Sequence, residues 1–243
     1  MNINERVIVA LDVKSLDEAG ELVDQLSPYV SIFKIGLEII TANGVPLTVQ
    51  YIQRRKGGVF LDGKFNDIPK TVGEAAAAAS LLQVAIMNVH ASSGIEAMAA
   101  AAKYGKPAKV LAVTVLTSLE ENNAHLIFGA PSKAKVLQFA RDALVAGIDG
   151  IICSPLELPL LRKQKELDNL IFVTPGVRPA WSALGDQKRV MTPGEAIAAG
   201  ATALVIGRPI TKPPTEIGTP VDAIKRIHEE IETALENKLN GRE

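Results

Sequence analysis

The stretch Val7-Ile-Val-Ala-Leu11 is a run of five apolar residues, and similar runs recur along the chain at a regular spacing. The first five begin at residues 7, 32, 58, 84 and 110, so each starts 25 or 26 residues after the previous one. Continuous apolar runs are typical of strands covered on both faces, as in a parallel sheet, and a repeat of this length holds one strand and one helix. The predicted strands are 7–11, 32–35, 58–61, 84–88, 110–115, 149–153, 171–174 and 203–206.

Helical patterns fill the segments between these runs. The pattern over 15–26 opens with Ser15, a typical capping residue, and Glu18 follows three positions later. Eight strand–helix units in 243 residues predict an α/β fold, a (β/α)8 TIM barrel that forms a single domain over 1–243. An open doubly wound sheet is the alternative, but no Gly-x-Gly-x-x-Gly turn follows the first strand. Further helices are predicted over 71–81, 95–104, 134–146, 155–164, 193–199 and 222–239.

The composition is that of a folded protein without a strong charge bias. Hydrophobic residues make up 47% and charged residues 22%, which excludes a disordered or collagen-like chain. A formal net charge of −1 argues against binding to nucleic acid and against a polybasic membrane binder. No apolar stretch approaches the roughly 20 residues that span a bilayer, and no targeting segment is visible. With Cys153 as the single cysteine and three scattered histidines, we expect a cytoplasmic protein without disulfides or a metal site.

Charged side chains recur where the predicted strands end, which is the face of a barrel that carries the active site. Asp12 follows the first strand, Lys34 lies in the second, and Asp62 and Lys64 follow the third. Asp62 and Lys64 are two residues apart, so in an extended chain their side chains point to the same side, where Lys34 can face them. An exposed salt-bridge cluster is the other interpretation, but the recurrence of charges at several strand ends favours a site.

The loops after the last two strands carry a second set of candidate residues. In barrels of this kind these two loops commonly bind phosphate. Gly176 and Gly207 allow the backbone to approach a ligand closely, and Arg178 and Arg208 can donate paired hydrogen bonds to phosphate oxygens. Turns and solvated charges explain each residue singly, whereas their occurrence in both loops favours an anion site.

The segment Asp62-x-Lys64-x-x-Asp67-Ile-Pro-x-Thr71 resembles the signature of the orotidine 5′-phosphate decarboxylase family. The first six positions alone are shared with sugar-phosphate decarboxylases of the same superfamily, but the complete ordered set of segments is specific. One departure is Lys70, where the signature usually has Asn. The other matching segments are Ala10-Leu-Asp12, Phe33-Lys34-Ile-Gly36, Val89-His-Ala91, Leu116-Thr-Ser118, Pro175-Gly-Val-Arg178-Pro179, Gly185-Asp-Gln187-x-Arg189 and Ile206-Gly-Arg208-Pro209-Ile-Thr211.

The resemblance implies a homodimeric lyase that converts orotidine 5′-monophosphate to uridine 5′-monophosphate without a cofactor or metal. It implies that Lys34, Asp62, Lys64 and Asp67 are catalytic, and that Asp67 and Thr71 reach the partner subunit's site. Segment 180–189, with Gln187, is the expected lid. The residues expected to bind the nucleotide are Asp12, Lys34, Thr71, Thr117, Arg178, Gln187, Gly207 and Arg208.

Two other functions remain open on the sequence alone. A magnesium-dependent sugar-phosphate decarboxylase of the same superfamily shares the Asp62-x-Lys64-x-x-Asp67 motif, but the Asp-Ile-Pro-x-Thr continuation argues against it. A barrel that binds a phosphorylated metabolite without catalysis does not require Asp62 or Lys64, and both are present.

Overall fold

The computed structural model describes residues 2–182 and 191–241. The described chain contains eight strands, eleven helices and four short 3₁₀ turns, and at least one helix separates each strand from the next. The strands are β1 (Val7–Ala10), β2 (Ile32–Ile35), β3 (Gly58–Phe65), β4 (Ile86–His90), β5 (Lys109–Val113), β6 (Gly150–Ile152), β7 (Ile171–Pro175) and β8 (Ala203–Ile206). The helices are α1 (Leu16–Leu26), α2 (Leu37–Asn43), α3 (Val45–Gln53), α4 (Pro69–Leu81), α5 (Ile95–Tyr104), α6 (Glu121–Phe128), α7 (Ser132–Val145), α8 (Leu158–Leu161), α9 (Pro193–Ala198), α10 (Arg208–Thr211) and α11 (Pro220–Leu239).

The strands form a closed parallel barrel in the order of the sequence, from β1 to β8. The pairing of Val7 with Leu204 and of Val9 with Ile206 joins the last strand to the first. Closure leaves no sheet edge open to solvent. It also brings the carboxyl end of every strand to one rim, so side chains distant in sequence meet there. The predicted (β/α)8 barrel is confirmed.

Alternating side chains of the strands build two separate apolar cores. Those pointing outward, such as Val9, Phe33 and Leu61, pack in the layer between the barrel and the helices. Those pointing inward fill the barrel with apolar atoms. This interior core consists of Ile8, Ala10, Phe60, Ile86, Leu111, Val173, Ala203 and Val205. The functional rim therefore lies directly above a dry, low-dielectric interior.

The structure differs from the sequence prediction mainly between β2 and β3. Two short helices, α2 and α3, fill this segment, and Gly44 separates them with a φ of 79°. Helices of seven and nine residues show too few turns for a clear periodic pattern. A helix also forms over Glu121–Phe128, where none was predicted. The predicted cap is confirmed, since the Ser15 hydroxyl accepts a hydrogen bond from the Glu18 amide at 3.2 Å.

Strand β3 runs four residues beyond its predicted end and so includes Asp62 and Lys64. This extension carries the charged residues over the mouth of the barrel. None of the described helices is both long and apolar enough to cross a membrane.

Candidate active site

A cavity of about 320 Å³ opens at the carboxyl ends of the strands. Phe60 and Val205 of the interior core contribute to its apolar lining. The cavity therefore combines an apolar base with a polar wall, which is typical of small-molecule sites. The predicted site residues that line it are Asp12, Lys34, Asp62, Lys64, Thr117, Arg178, Gly207 and Arg208.

Four charged side chains form one connected network, which we call the ion network: Asp12, Lys34, Asp62 and Lys64. The Lys64 Nζ donates to Asp62 Oδ1 at 2.7 Å, and the Lys34 Nζ lies 3.1 Å from Asp62 Oδ2. The Lys34 ammonium also donates to Asp12 Oδ1 at 3.2 Å. Asp62 thus holds a lysine on each of its two oxygens, and the two positive and two negative charges balance.

The ion network depends on close approach of the backbone at Gly36. A Cβ atom at this position would lie 3.1 Å from the Lys34 Nζ and 3.5 Å from Asp12 Oδ1. The first of these distances is too short for an unstrained contact, so a larger residue would displace the Lys34 ammonium. Glycine at position 36 therefore leaves the space in which Lys34 reaches both carboxylates.

The members of the ion network are unequally shielded from water. The side chains of Lys34 and Asp62 are only 12% and 11% exposed, whereas those of Lys64 and Asp12 are 30% and 57% exposed. Unit charges 4 Å apart interact by about 4 kcal/mol at an effective dielectric constant near 20, against about 1 kcal/mol in water. The Coulomb attraction of Asp62 to the lysines is therefore stronger than that between fully solvated charges, and the cost of removing these charges from water offsets part of it.

The electrostatic surroundings keep both buried members of the ion network charged. Burial alone would raise the pKa of Asp62, but Lys34, Lys64 and the amide of Asn88 together lower the pKa below its ordinary value of 3.8. Burial alone would lower the pKa of Lys34, but Asp62 and Asp12 together raise the pKa above its ordinary value of 10.5. The pKa of His90 is lowered by burial and by the charge of Lys64.

The loops after β7 and β8 supply a further part of the cavity lining. Gly176 adopts a φ of 75°, a left-handed conformation that favours glycine. Arg178 is buried and its backbone amide donates to the Met191 carbonyl at 3.0 Å, whereas Arg208 is exposed at the cavity mouth. Both predicted phosphate-binding loops thus line the cavity.

Two of the predicted residues that the structure describes do not line this cavity. Asp67 and Thr71 are exposed, at the end of the loop after β3 and in the first turn of α4. The Asp67 carboxylate accepts a hydrogen bond from the adjacent Ile68 amide at 2.7 Å. Gln187 and most of the predicted lid over 180–189 lie outside the described residues.

Asn88 is a residue of the site to which sequence analysis assigned no role. Its side chain is fully buried on β4 and contacts Asp62 and Lys64. The signal was available in the sequence. Asn88 is two residues after Ile86, so it shares the inward-facing positions of an otherwise apolar strand. A polar residue at such a position needs a hydrogen-bonding partner inside the barrel mouth.

The described residues contain no group of three or more His, Cys, Asp or Glu side chains that could hold a metal ion. The polar side chains at the cavity are instead dominated by lysine and arginine. A cavity with these cations suits an anionic ligand.

Comparison with known proteins identifies the family. Residues 5–226 match the sequence profile of the orotidine 5′-phosphate decarboxylase / HUMPS family. The chain belongs to this family. It is 47% identical to an orotidine 5′-phosphate decarboxylase of Moorella thermoacetica, over 96% of this chain and 94% of the relative. It is 46% identical to the enzyme of that name from Geobacter sulfurreducens, over 93% and 96% of the two chains.

A solved structure supports the same assignment. The crystal structure of orotidine 5′-phosphate decarboxylase from Lactobacillus acidophilus superposes with a TM-score of 0.78 at 32% sequence identity. The match covers 93% of this chain and 99% of that chain. The family resemblance seen in the sequence motifs is confirmed.

The lowered pKa of Asp62 can be measured directly. In a ¹³C NMR titration, the Asp62 carboxyl signal, assigned by its loss in Asp62→Asn, should have its midpoint below 3.8, because two ammonium groups stabilise the ionised form. The ionised Asp62 carboxylate then stabilises the fold at every pH above 3.8. This stabilisation is lost as the pH falls through the lowered pKa of Asp62 in the folded protein. A midpoint at or above 3.8 would contradict the charge balance described here.

Proposed function

We propose that this protein decarboxylates orotidine 5′-monophosphate to uridine 5′-monophosphate in de novo pyrimidine synthesis, and that the reaction uses no cofactor. The observation that carries this proposal is the position of the Asp62 carboxylate between Lys34 and Lys64 over an apolar barrel interior. The same cavity is also lined by two arginines, Arg178 and Arg208. The relatives of 40–47% identity that bear this enzyme's name support the assignment.

The chemical difficulty of the reaction lies in the electron pair that it produces. When the bond to the carboxylate breaks, carbon dioxide leaves and the pair stays on a ring carbon that has no electron sink. Charges fixed in advance can stabilise such a carbanion without reorganising during the step. A preformed network of lysines and aspartates satisfies this requirement.

Each member of the ion network has a distinct proposed role. Asp62 faces the departing carboxylate, and the Lys64 ammonium stabilises the carbanion and then transfers a proton from Nζ to the ring carbon. The products are carbon dioxide and the protonated pyrimidine, and Lys64 regains its proton from solvent. Lys34 helps to hold Lys64 through their shared contact with Asp62, and Asp12 and Lys34 bind the ribose hydroxyls. Stabilisation of the carbanion, rather than of the substrate, is what accelerates the step.

The rest of the nucleotide is placed by the remaining cavity residues. We assign the phosphate to Arg178, Gly207 and Arg208, because guanidinium groups bind phosphate oxygens in pairs. Thr117, which lines the cavity after β5, contacts the edge of the base. Gln187 belongs to the lid in this proposal. Binding energy from the phosphate, far from the breaking bond, can drive closure of that lid.

We also propose that the active unit is a homodimer in which Asp67 and Thr71 complete the partner's site. Both residues are exposed, although the family signature includes them. Ile68, between them, is 65% exposed. Large exposed apolar side chains lie close after each of four successive strands, β2 to β5, and an apolar rim of this kind favours association. These side chains are Leu37, Ile68, Ile95 and Leu116.

The other two functions considered are not favoured. A magnesium-dependent sugar-phosphate decarboxylase has no support among the relatives that share 40–47% identity, and a non-catalytic barrel has no use for the ion network.

We further propose that residues 1–243 act as one catalytic domain. A cytoplasmic setting stays a prediction that rests on the single, buried Cys153.

Replacement of Lys64 tests the proposed proton donor. Lys64→Ala should lower kcat by about 10²- to 10⁴-fold, the range typical of a general acid, while the barrel remains folded. Turnover is followed by the absorbance change of the pyrimidine. Lys103→Ala, on the outer helix α5, is the matched control and should keep full activity. Near-normal turnover in Lys64→Ala would refute the role of Lys64.

A chelator tests the proposal that the reaction needs no metal. Wild-type turnover should be unchanged in its presence.

Mixing of two inactive variants tests the shared site. Lys64→Ala and Asp67→Ala should each be inactive alone, because each dimer lacks one essential group in both sites. After subunit exchange of an equal mixture, about a quarter of all sites contain both groups, so about a quarter of wild-type activity should return.

The control for this experiment mixes Lys64→Ala with the double variant Lys64→Ala/Asp67→Ala, in which no site can be complete. Differently tagged subunits show that exchange has occurred. If exchange is complete and no activity returns, Asp67 acts within its own subunit and the proposed dimeric site is wrong.

A further inference from the structure

The pairing of β3 with β4 is irregular at the active site. Leu61 pairs with Met87, but the next pair is Phe65 with Val89. Three residues of β3, from Asp62 to Lys64, therefore lie opposite the single residue Asn88. Such an irregularity removes backbone groups from the regular hydrogen bonds of the sheet, and these groups need other partners when they are buried.

The side chain of Asn88 is the partner of one of these backbone groups, the N–H of Lys64, and it also holds the Asp62 carboxylate. Its Oδ1 accepts the backbone N–H of Lys64 at 2.7 Å, and its Nδ2 donates to Asp62 Oδ1 at 2.7 Å. Lys64 has a φ of 50°, the left-handed region that a lysine rarely adopts, so its conformation needs support from its surroundings. Both ends of one buried amide are thus used to hold the two residues that face the substrate.

We propose that Asn88 is a positioning residue that sets the reactive geometry of Asp62 and Lys64 without touching the substrate. It does not line the cavity. It acts instead through the backbone of Lys64, which determines where the ammonium points, and through the carboxylate of Asp62, to which the ammonium is bonded. The effect on catalysis rests on the decarboxylase function proposed above, whereas the contacts themselves do not.

A neutral amide is the side chain that this position requires. Leu would leave the Lys64 N–H and one lone pair of Asp62 without partners, and Asp would place a second carboxylate against Asp62. The charged and titratable groups nearby are Asp62 and Lys64 on β3, Lys34 on β2, His90 on β4 and Asp12 after β1. On β5 the residue paired with Asn88 is the apolar Leu111.

Removal of the amide should impair the chemical step more than substrate binding. Asn88→Ala should lower kcat by about 10- to 100-fold, since misplacing a catalytic group by a fraction of a bond length is costly, while KM stays within about threefold. The matched control is Thr114→Val, which removes the buried hydrogen bond from the Thr114 hydroxyl to the Ile152 carbonyl without touching the ion network. Its kcat should stay within about twofold of wild type.

The nearly isosteric Asn88→Asp variant gives a readout that a purely structural role would not produce. The introduced carboxyl group can accept a hydrogen bond from the Lys64 N–H in either protonation state. It can donate a hydrogen bond to the Asp62 carboxylate only when it is protonated. Burial and the charge of Asp62 favour the protonated form of that carboxyl, whereas the charges of Lys64 and Lys34 favour the ionised form, so the protonated fraction grows as the pH is lowered. The ratio of variant to wild-type kcat should therefore rise as the pH is lowered, whereas the ratio for Asn88→Ala should stay flat.

A third readout is independent of turnover and separates this proposal from the proposed function. Asn88→Ala should raise the midpoint of the Asp62 carboxyl signal in the ¹³C NMR titration, because the carboxylate loses one donor. If wild-type protein does not decarboxylate the nucleotide, the proposed function fails and this shift still decides the role of Asn88 in holding Asp62.

Three results would overturn the proposal. These are an Asn88→Ala kcat as high as that of Thr114→Val, a flat ratio for Asn88→Asp, and an unchanged Asp62 midpoint. If Asn88→Ala does not fold, as judged by circular dichroism, the pH dependence of Asn88→Asp decides the question alone.

Discussion

The contact of the Asp62 carboxylate with two lysines is the interaction on which the site depends. Each oxygen of Asp62 contacts one ammonium group, and the side chains of Asp62 and Lys34 are largely shielded from water. Separating the partners of such a contact leaves a buried charge uncompensated, which is energetically costly. This cost keeps the ammonium groups of Lys34 and Lys64 against the Asp62 carboxylate. The preorganisation that the reaction needs is thus a property of the folded chain and does not wait for substrate.

The barrel supplies both the position and the strength of this interaction. The parallel pairing of β2 with β3 places Lys34 opposite Phe60, so Asp62 lies at the next inward position, and apolar side chains of the interior core lie beneath both charged residues. The low-dielectric surroundings strengthen each contact severalfold over its value in water. The glycine at position 36 and the irregular pairing of β3 then allow the charged groups to come within hydrogen-bonding distance.

Much of this arrangement could be predicted from the sequence, because strand spacing and side-chain alternation are local properties. The eight strands, the barrel and the convergence of Asp12, Lys34, Asp62 and Lys64 follow from them. The sequence shows that Asn88 needs a polar partner inside the barrel mouth, but it does not show that this partner is the left-handed backbone of Lys64. That contact arises from a change of register between two strands that are joined only in the fold. Asp67 and Thr71 are exposed in the single chain, so the role proposed for them depends on the proposed dimer.

A crystal structure of the protein with uridine 5′-monophosphate, compared with the free protein, would show whether the ion network is preorganised. We expect the pyrimidine ring to lie against Lys64 and Asp62, and the phosphate to lie between Arg178 and Arg208. We also expect the atoms of the ion network to move by no more than about 0.5 Å on binding, as in a preorganised site. A network that forms only when the nucleotide binds, or a nucleotide bound away from Asp62, would contradict this account.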